Sequence, residues 1–481
     1  MTPQASTPAF AFQSPSGRDV AAAFDGGLIT TEGGALLLLE VERATGVLAQ
    51  LAGCFTDHRD PDLIEHTAAQ LVAQRVYGLA LGYEDLNDHD DLRGDPLLAT
   101  LVGKEDVLGQ GRLRGRDRGK PLAGKSTLNR LELTPEGATA AARYKKVVAD
   151  GPAIERLFVD AFVRAHDSPP EQIVLDLDAT DDPVHGQQEG RFFHGYYRCH
   201  CYLPLYIFCG EHLLCAKLRT AEHGAFAGCL AELQRVVAQI RQAWPQVRIL
   251  VRGDADFCQE ELMAWCEQQE GIDYLLGLAQ NSRLLAALTY EMELAHIRYL
   301  ACGVPCRVFA DLSYRTLKSW SRARRVVAKA EFLPGGPNPR FVVTSLPAEG
   351  PRGRPARAAY EEDYCSRGET ENRIKEQKLD LAAGRTSCTR LRANQLRLWL
   401  ASAAYLLLCG LRRLGLAGTP LAPAQCGTIR AKLLKVGAWV RVVARRVCVS
   451  LCSACPYREV FARAYARLRR AATAVLTPLR L

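Results

Sequence analysis

An α/β fold is predicted by three features of the chain. Short β-branched runs alternate with amphipathic stretches after residue 170, acidic residues stand at the ends of two of those runs, and a polar stripe recurs at helical spacing near residue 370. The first two dozen residues are polar and Pro/Ser-rich and read as a loose arm. Residues 31–82 are mostly helical in pattern, and residues 126–133 and 138–165 read as further helices. At Glu171 the period changes. Ile173-Val-Leu-Asp-Leu-Asp178 is a nearly continuous apolar run and reads as a buried strand. Residues 202–209 and 213–218 read as the next two strands, with Gly210 in the tight connection between them. A helix over 226–244, a strand over 247–251, a helix over 259–269 and a strand over 272–278 follow.

This β-β-β-α-β-α-β order is that of a ribonuclease-H-like core, in which an antiparallel hairpin joins parallel strands through crossover helices. Residues 299–309, 325–332 and 340–344 look strand-like around the turn Pro334-Gly-Gly-Pro, so residues 281–358 are read as a β-rich insertion within a catalytic core spanning 166–415. A mainly helical N-terminal region (1–165), whose basic run at 112–125 suits DNA binding, precedes the core, and a helical basic C-terminal region (416–481) follows it.

The polar stripe consists of Tyr364, Arg367, Glu371 and Lys378. At about 100° per residue these positions point to roughly 0°, 300°, 340° and 320°, one narrow side of a helix. A core-facing stripe is apolar, so a phenol, a guanidinium, a carboxylate and an ammonium in line suit metal-assisted chemistry on a polyphosphate. Glu369 and Glu376 fall on the far side by the same count, which singles out Glu371. Asp178 ends the first core strand and Asp254 follows the fourth, in Arg252-Gly-Asp-Ala-Asp-Phe257. Ligands of open sheets collect at the carboxyl ends of strands, and three clustered carboxylates repel one another unless divalent cations neutralise them. Asp178, Asp254 and Glu371 are therefore the candidate metal ligands. Asp176, Asp181, Asp182 and Asp256 are their local competitors.

Composition narrows the partners. The chain has 61 basic and 53 acidic residues, a net charge of +8, and its cations cluster in three runs: 112–125, 322–329 and 430–446. Such runs favour a polyanion. The 17 cysteines are scattered among apolar residues and read as reduced, buried thiols, and Cys448, Cys452 and Cys455 lack a nearby fourth zinc ligand. Residues 398–411 are apolar but too short to span a bilayer, so a buried helix and no membrane partner are expected. The acidic stretch from Tyr83 to Arg93 lacks the spacing and glycine of a calcium loop and is explained by caps and turns. Gly119-Lys-Pro-Leu-Ala-Gly-Lys125-Ser126 fits the pattern of a nucleotide-binding loop. That loop needs a buried strand entering it, and Arg112-Leu-Arg-Gly-Arg-Asp-Arg118 cannot be one, so no ATP is expected; a helix is predicted to start at Ser126, capped by its hydroxyl.

These residues resemble the DDE transposases of bacterial insertion sequences. Tyr364, Arg367, Glu371 and Lys378 match the Y-x2-R-x3-E-x6-K branch, Asp178-Ala-Thr matches the first-aspartate motif, and Asp254-Ala-Asp-Phe257 matches the second. Phe24-Asp-Gly-Gly, Gly82-Tyr-Glu-Asp-Leu-Asn-Asp, Lys125-Ser-Thr-Leu-Asn-Arg-Leu-Glu and Asp178-Ala-Thr-Asp-Asp-Pro-Val-His-Gly are similar to the insertion sequences numbered thirteen-eighty, over residues 20–470. The resemblance implies cut-and-paste DNA transposition in the bacterial cytoplasm, nucleoid-associated, by a homodimer on the terminal inverted repeats and target DNA. Asp178, Asp254 and Glu371 would bind Mg²⁺, with Mn²⁺ able to substitute, and Tyr364, Arg367 and Lys378 would contact DNA near the cut. A metal-dependent nuclease on the same core, or a catalytically inactive DNA-binding relative, are the alternatives. If the two cations touch phosphate, Arg367→Ala or Lys378→Ala lowers the slope of log affinity against log salt by about one unit. Titrations of labelled end DNA at several salt concentrations check this, and an unchanged slope would show that neither side chain reaches the backbone.

Overall fold

The computed structural model describes residues 10–476. The chain divides into two units, one of residues 150–402 and the other of the residues before and after it. The middle unit is mixed α/β and is built on a nine-stranded sheet. Its strands are β1 (Gln172–Ala179), β4 (Leu205–Cys209), β5 (His212–Lys217), β6 (Arg248–Gly253), β7 (Ile272–Leu278), β8 (Cys306–Tyr314), β9 (Arg324–Leu333) and β10 (Arg340–Thr344), with a two-residue strand Gly336–Pro337 beside β9. A hairpin of β2 (Phe192–His194) and β3 (Cys199–Tyr202) lies outside this sheet. The main order is β5-β4-β1-β6-β7-β10-β9-β8; β1, β6 and β7 are parallel and the rest antiparallel to their neighbours.

The alternation of β1 decides what each face does. Ile173, Leu175 and Leu177 enter an apolar core with Leu233, Val236 and Ile240 of α2 (Cys229–Ala243) and Leu262, Met263 and Cys266 of α3 (Glu260–Gln268). The opposite face holds Val174, Asp176 and Asp178. There Leu250, Leu275, Val327 and Val342 pack with Tyr360 from the helical segment that carries the polar stripe. Each fully buried Leu or Ile contributes roughly 1.5–3 kcal/mol, so the sheet is clamped from both sides.

On that second face Asp176 and Arg252 are cross-strand neighbours in register. Both are buried, and the guanidinium meets the carboxylate with two bonds of 2.6 and 2.7 Å. The remaining nitrogen donates to the carbonyl of Asp363 and the hydroxyl of Ser366, just before Arg367. A bidentate buried pair of this kind tolerates little displacement.

Several expectations are corrected. The strand read over 202–209 is two strands, because Pro204 has no N–H to donate and breaks the ladder; β3 ends at Tyr202 and turns back as a hairpin. The long helix read over 138–165 is only α1 (Gly151–Arg164), begun by Asp150, whose carboxylate accepts from the Ala153 N–H at 3.0 Å, and preceded by a strand Val147–Ala149. Residues 299–302 close helix α4 (Thr289–Cys302), which Gly303 terminates at φ 70° before β8 begins at Cys306. Residues 398–411 lie inside a longer helix, α6 (Leu391–Gly410), continued by a π-helical turn to Leu416. At 26 residues it is long and apolar enough to cross a bilayer, yet 89% of its apolar window is buried within protein.

In the other unit the helices Leu36–Thr45, Val47–Gly53, Ala68–Ala80 and Lys125–Glu132 agree with the helical pattern of the N-terminal part. Helix Ala68–Ala80 starts on a reciprocal Thr67/Gln70 cap. The basic C-terminal part is not wholly helical. Ala438–Val443 and Arg446–Leu451 form a hairpin joined to Ile29–Thr30, as the alternating run Trp439-Val-Arg-Val requires, and helix Arg458–Leu476 packs on Leu36–Thr45. All 17 cysteines are free thiols.

Breaking the buried pair by Arg252→Met leaves Asp176 charged and unpaired. The expected loss is about 3–5 kcal/mol in denaturant unfolding, and Asp176→Leu combined with Arg252→Met is expected to recover most of it.

Candidate active site

Asp178 and Asp254 leave the sheet at the carboxyl ends of β1 and β6, two residues beyond Asp176 and Arg252 respectively. The extended backbone at Asp254 lets its carboxylate accept from the Asp256 N–H at 2.9 Å, while Asp178 accepts from the Ala179 N–H at 2.8 Å. Residues 356–380 are helical throughout but not one regular α-helix. A π-helical turn (Ala359–Tyr364) and a 3₁₀ turn (Cys365–Arg367) precede α5 (Gly368–Lys375), and a second π-helical turn follows (Glu376–Asp380). Such departures from α geometry cluster at functional sites. The uniform angular count therefore fails in detail, but Tyr364 lies against Gly277 of β7, Arg367 reaches Asp178 and Glu371, and Lys378 reaches the loop after β1.

Arg367 stands at the centre. Its guanidinium is 3.3 Å from Asp178 Oδ2 and 3.1 Å from Glu371 Oε1, so it bridges two of the three candidate ligands. Tyr364 packs so closely on β7 that a Cβ on Gly277 would lie 2.6 Å from its hydroxyl and 2.9 Å from the Ala255 nitrogen. Only glycine permits that approach, which sets the phenol beside Asp254 and Arg367. Burial raises the Tyr364 pKa; Arg367 opposes this and Asp254 adds to it.

The carboxylates strain against one another. Burial pushes Asp178 up to about 6; Arg367 holds it down, and the charges of Asp254 and Glu371 push it further up. Asp254 is raised as well, first by burial, with the Asp256 carboxylate adding to the rise and Arg367 opposing it. Glu371 is exposed at the rim. Among the described residues no three His, Cys, Asp or Glu side chains converge tightly enough to enclose a metal ion, because a guanidinium lies between these acids. The donor set still suits a hard divalent cation: three carboxylates whose mutual repulsion a single arginine leaves partly uncompensated.

Lys378 is turned inward. Its ammonium donates to the Thr180 hydroxyl at 3.1 Å and to the Asp181 carbonyl, and lies 3.5 Å from the Asp181 carboxylate and 3.8 Å from that of Asp182. It braces the loop after Asp178. The competing acids take separate places: Asp176 is paired with Arg252, Asp181 faces Lys378, Asp256 is exposed, and Asp182 is fully buried. Neither Asp182 oxygen has a hydrogen-bond partner among the described residues. Glu376, on the far side as expected, is buried and paired with Arg373, and Glu369 reaches Arg373 at 3.6 Å.

Sequence reasoning missed the role of Arg252. A charged residue inside an otherwise apolar strand was the available signal for Arg252, since such a residue requires a buried partner.

Elsewhere, the loop that fits a nucleotide-binding pattern is entered by a 3₁₀ turn, Gly115–Asp117, rather than a strand. Its helix begins at Lys125 with Gly124 as cap, not on the Ser126 hydroxyl; the Asp90 carboxylate accepts from the Lys125 N–H at 3.0 Å and sits 3.6 Å from its ammonium. The acidic stretch thus docks one of its carboxylates on the helix N-terminus, a favourable place for negative charge. Cys448, Cys452 and Cys455 form no cation site among the described residues.

A family profile described as "Transposase DDE domain group 1" matches residues 12–473. No curated protein matches the chain significantly. Among solved structures the chain is similar to piggyBac transposase in a synaptic complex with hairpin DNA, determined by cryo-EM, at 10% identity over 93% of this chain and 82% of that one, with a TM-score of 0.38.

Burial, partly opposed by Lys378, pushes Asp182 up to about 7 from its ordinary 3.8, with Asp181 adding to the rise. The folded chain then keeps a proton that the unfolded chain releases, so this group's contribution to stability is full below pH 3.8 and lost as pH rises through about 7. Asp182→Asn is expected to remove a slope of at most about 1.4 kcal/mol per pH unit across that window, measured by urea unfolding at stepped pH.

Proposed function

The chain belongs to the transposase DDE domain family, and on that premise we propose that it binds the ends of an insertion sequence, cleaves them and joins the freed 3′-hydroxyl to target DNA. The observation that carries this reading is the meeting of Asp178, Arg367 and Glu371, drawn from a strand end and a helix 189 and 4 residues apart in sequence. The β5-β4-β1-β6-β7 order, with acids at the carboxyl ends of β1 and β6, supports a ribonuclease-H-like core in the middle unit. The other unit, with its basic run at 430–446, is the part we assign to recognition of the ends, by a homodimer that holds two ends together.

Asp178, Asp254 and Glu371 are the residues that would hold Mg²⁺, or Mn²⁺ in its place. The bound cations supply Lewis acidity at the phosphodiester and offset the charge that develops on its oxygens. The protein groups do the rest. Arg367 neutralises Asp178 and Glu371, and its guanidinium is the group that would pair with a phosphate oxygen. Tyr364, wedged against Gly277, holds Arg367 beside the acids. Lys378 fixes the loop after Asp178, and a DNA phosphate that competes with Asp181 would draw its ammonium outward.

The test is cleavage of a labelled duplex carrying the inverted repeats that flank the gene, with Mg²⁺ or Mn²⁺. Wild type is expected to cut at the repeat boundary and to transfer a pre-cleaved end into target DNA. Glu371→Gln is expected to abolish cutting and leave end binding nearly intact. Specific binding without cutting by either protein would refute the catalytic reading, and cutting without strand transfer would reduce the protein to a nuclease.

A further inference from the structure

Helix α4 (Thr289–Cys302) is covered on one side only. Leu288 and Ala295 enter the core of the sheet, Met292 packs against it, and the rings of His296 and Tyr299 lie 4.1 and 5.2 Å from that of Phe332. Counted from Ala295 at about 100° per residue, Leu288, Met292, Ala295 and Tyr299 point between roughly 0° and 60°. Tyr290, Leu294, Ile297 and Ala301 point between roughly 200° and 260°, away from the sheet. A face turned to water is ordinarily polar. Here Tyr290 is 72% and Ile297 62% exposed, and Leu300 and Val304 beside them are exposed as well. Single exposed apolar residues are common, but a continuous row marks an interaction surface. The four outward residues recur at intervals of four, three and four, which is the spacing of a seam between two helices.

The charges beside the seam select its occupant. Glu291 and Arg298 point to roughly 320° and 300°, so they share one flank of the row. Neither is paired with another charge of the chain among the described residues. A second α4 laid antiparallel, about a two-fold axis between Ala295 and His296, brings like flanks together. The large Tyr290 then meets the small Ala301 of the partner subunit, and Leu294 meets the partner's Ile297. Glu291 comes beside the partner's Arg298, and symmetry makes each of these contacts twice. The row is thus complementary to itself in size and in charge. Glu291 and Glu293 disfavour a phosphate backbone here, and the flanks lack the lysines of a helix that lies on a membrane surface. We propose that the outer face of α4 is a self-association surface that pairs antiparallel with α4 of a second copy of this chain. At 14 residues the helix is about 21 Å long, which puts the contact at the low end of specific interfaces and its affinity in the micromolar range. Little ordering is needed, because β8 and β9 already hold the helix in place. The proposal rests on the homodimer of the proposed function, to which it gives a surface, and does not depend on the carboxylates.

The test is the mass of the full chain in solution, without DNA or metal, by sedimentation equilibrium at low salt from about 1 to 100 µM. Wild type is expected to pass from monomer to dimer across that range. Ile297→Glu changes an exposed side chain and is expected to stay monomeric, with thermal unfolding unchanged. Glu291→Arg alone and Arg298→Glu alone each set like charges against one another at two symmetric contacts, and each is expected to weaken association about tenfold. Combining Glu291→Arg with Arg298→Glu restores opposite charges and is expected to return the dissociation constant to within about threefold of wild type. A wild-type monomer at every concentration would overturn the proposal. A dimer that Ile297→Glu leaves intact, or a double reversal no better than either single one, would overturn this surface and leave a homodimer held elsewhere. Cleavage assays on the same proteins keep the two readings apart. Metal-dependent cutting by a chain whose dimer ignores Ile297→Glu sinks the surface alone, and a dimer lost in Ile297→Glu from a chain that never cuts sinks the cleavage reading alone.

Discussion

The contact between Arg252 and Asp176 governs the geometry of everything around it. Two neighbouring parallel strands place these residues side by side, and one guanidinium satisfies the carboxylate in bidentate fashion while reaching Asp363 and Ser366 on the helical segment. Asp178 lies two residues beyond Asp176, Asp254 two residues beyond Arg252, and Arg367 one residue beyond Ser366. A single buried cation thus fixes the spacing of all three carriers of the candidate chemistry. Its low-dielectric surroundings make the arrangement costly to disturb, which is what a site dependent on sub-ångström positioning needs.

Around that rigid frame the site itself is electrostatically unsettled. Asp178 and Asp254 are both held above the ordinary carboxylate range, first by burial and then by neighbouring acids. Arg367 relieves part of this by bridging Asp178 and Glu371. The bridge is exchangeable, because the guanidinium is bound by two long contacts and Glu371 is exposed. Lys378 repeats the pattern one loop away, where its bonds to Thr180 and Asp181 keep the Asp178 loop in place. The two stripe cations therefore serve the protein's own carboxylates before any polyanion arrives.

Legibility of the fold followed the strength of local periodicity. The strand at Ile272–Leu278 and the helices near 229–243 and 260–268 stand where their apolar spacing puts them, because each buries one continuous face. Misreadings arose where one residue overrode the pattern: Pro204 split a strand, Asp150 started a helix, Gly303 ended one. In the C-terminal basic part, charge masked the alternation of Trp439-Val-Arg-Val, so a hairpin passed for helix. The stripe of Tyr364, Arg367, Glu371 and Lys378 was visible as a set although the segment winds through π and 3₁₀ turns, since Arg367 and Glu371, four residues apart, still meet across one turn.

What the sequence determined by itself was the inventory: which acids stand at strand ends, which cations share a helical face, and which family profile the whole chain fits. Those properties are local, written in spacing and residue type, and survive any folding path that forms the elements. Tertiary structure alone decided which acids meet. Asp176 and Asp178 share a face of one strand, and only the partner across the sheet makes the first a structural anchor and leaves the second to face Arg367. The inward turn of Lys378 and the burial of Asp182 have the same origin: each depends on atoms distant in sequence, and no periodicity encodes a contact between elements that are not yet neighbours.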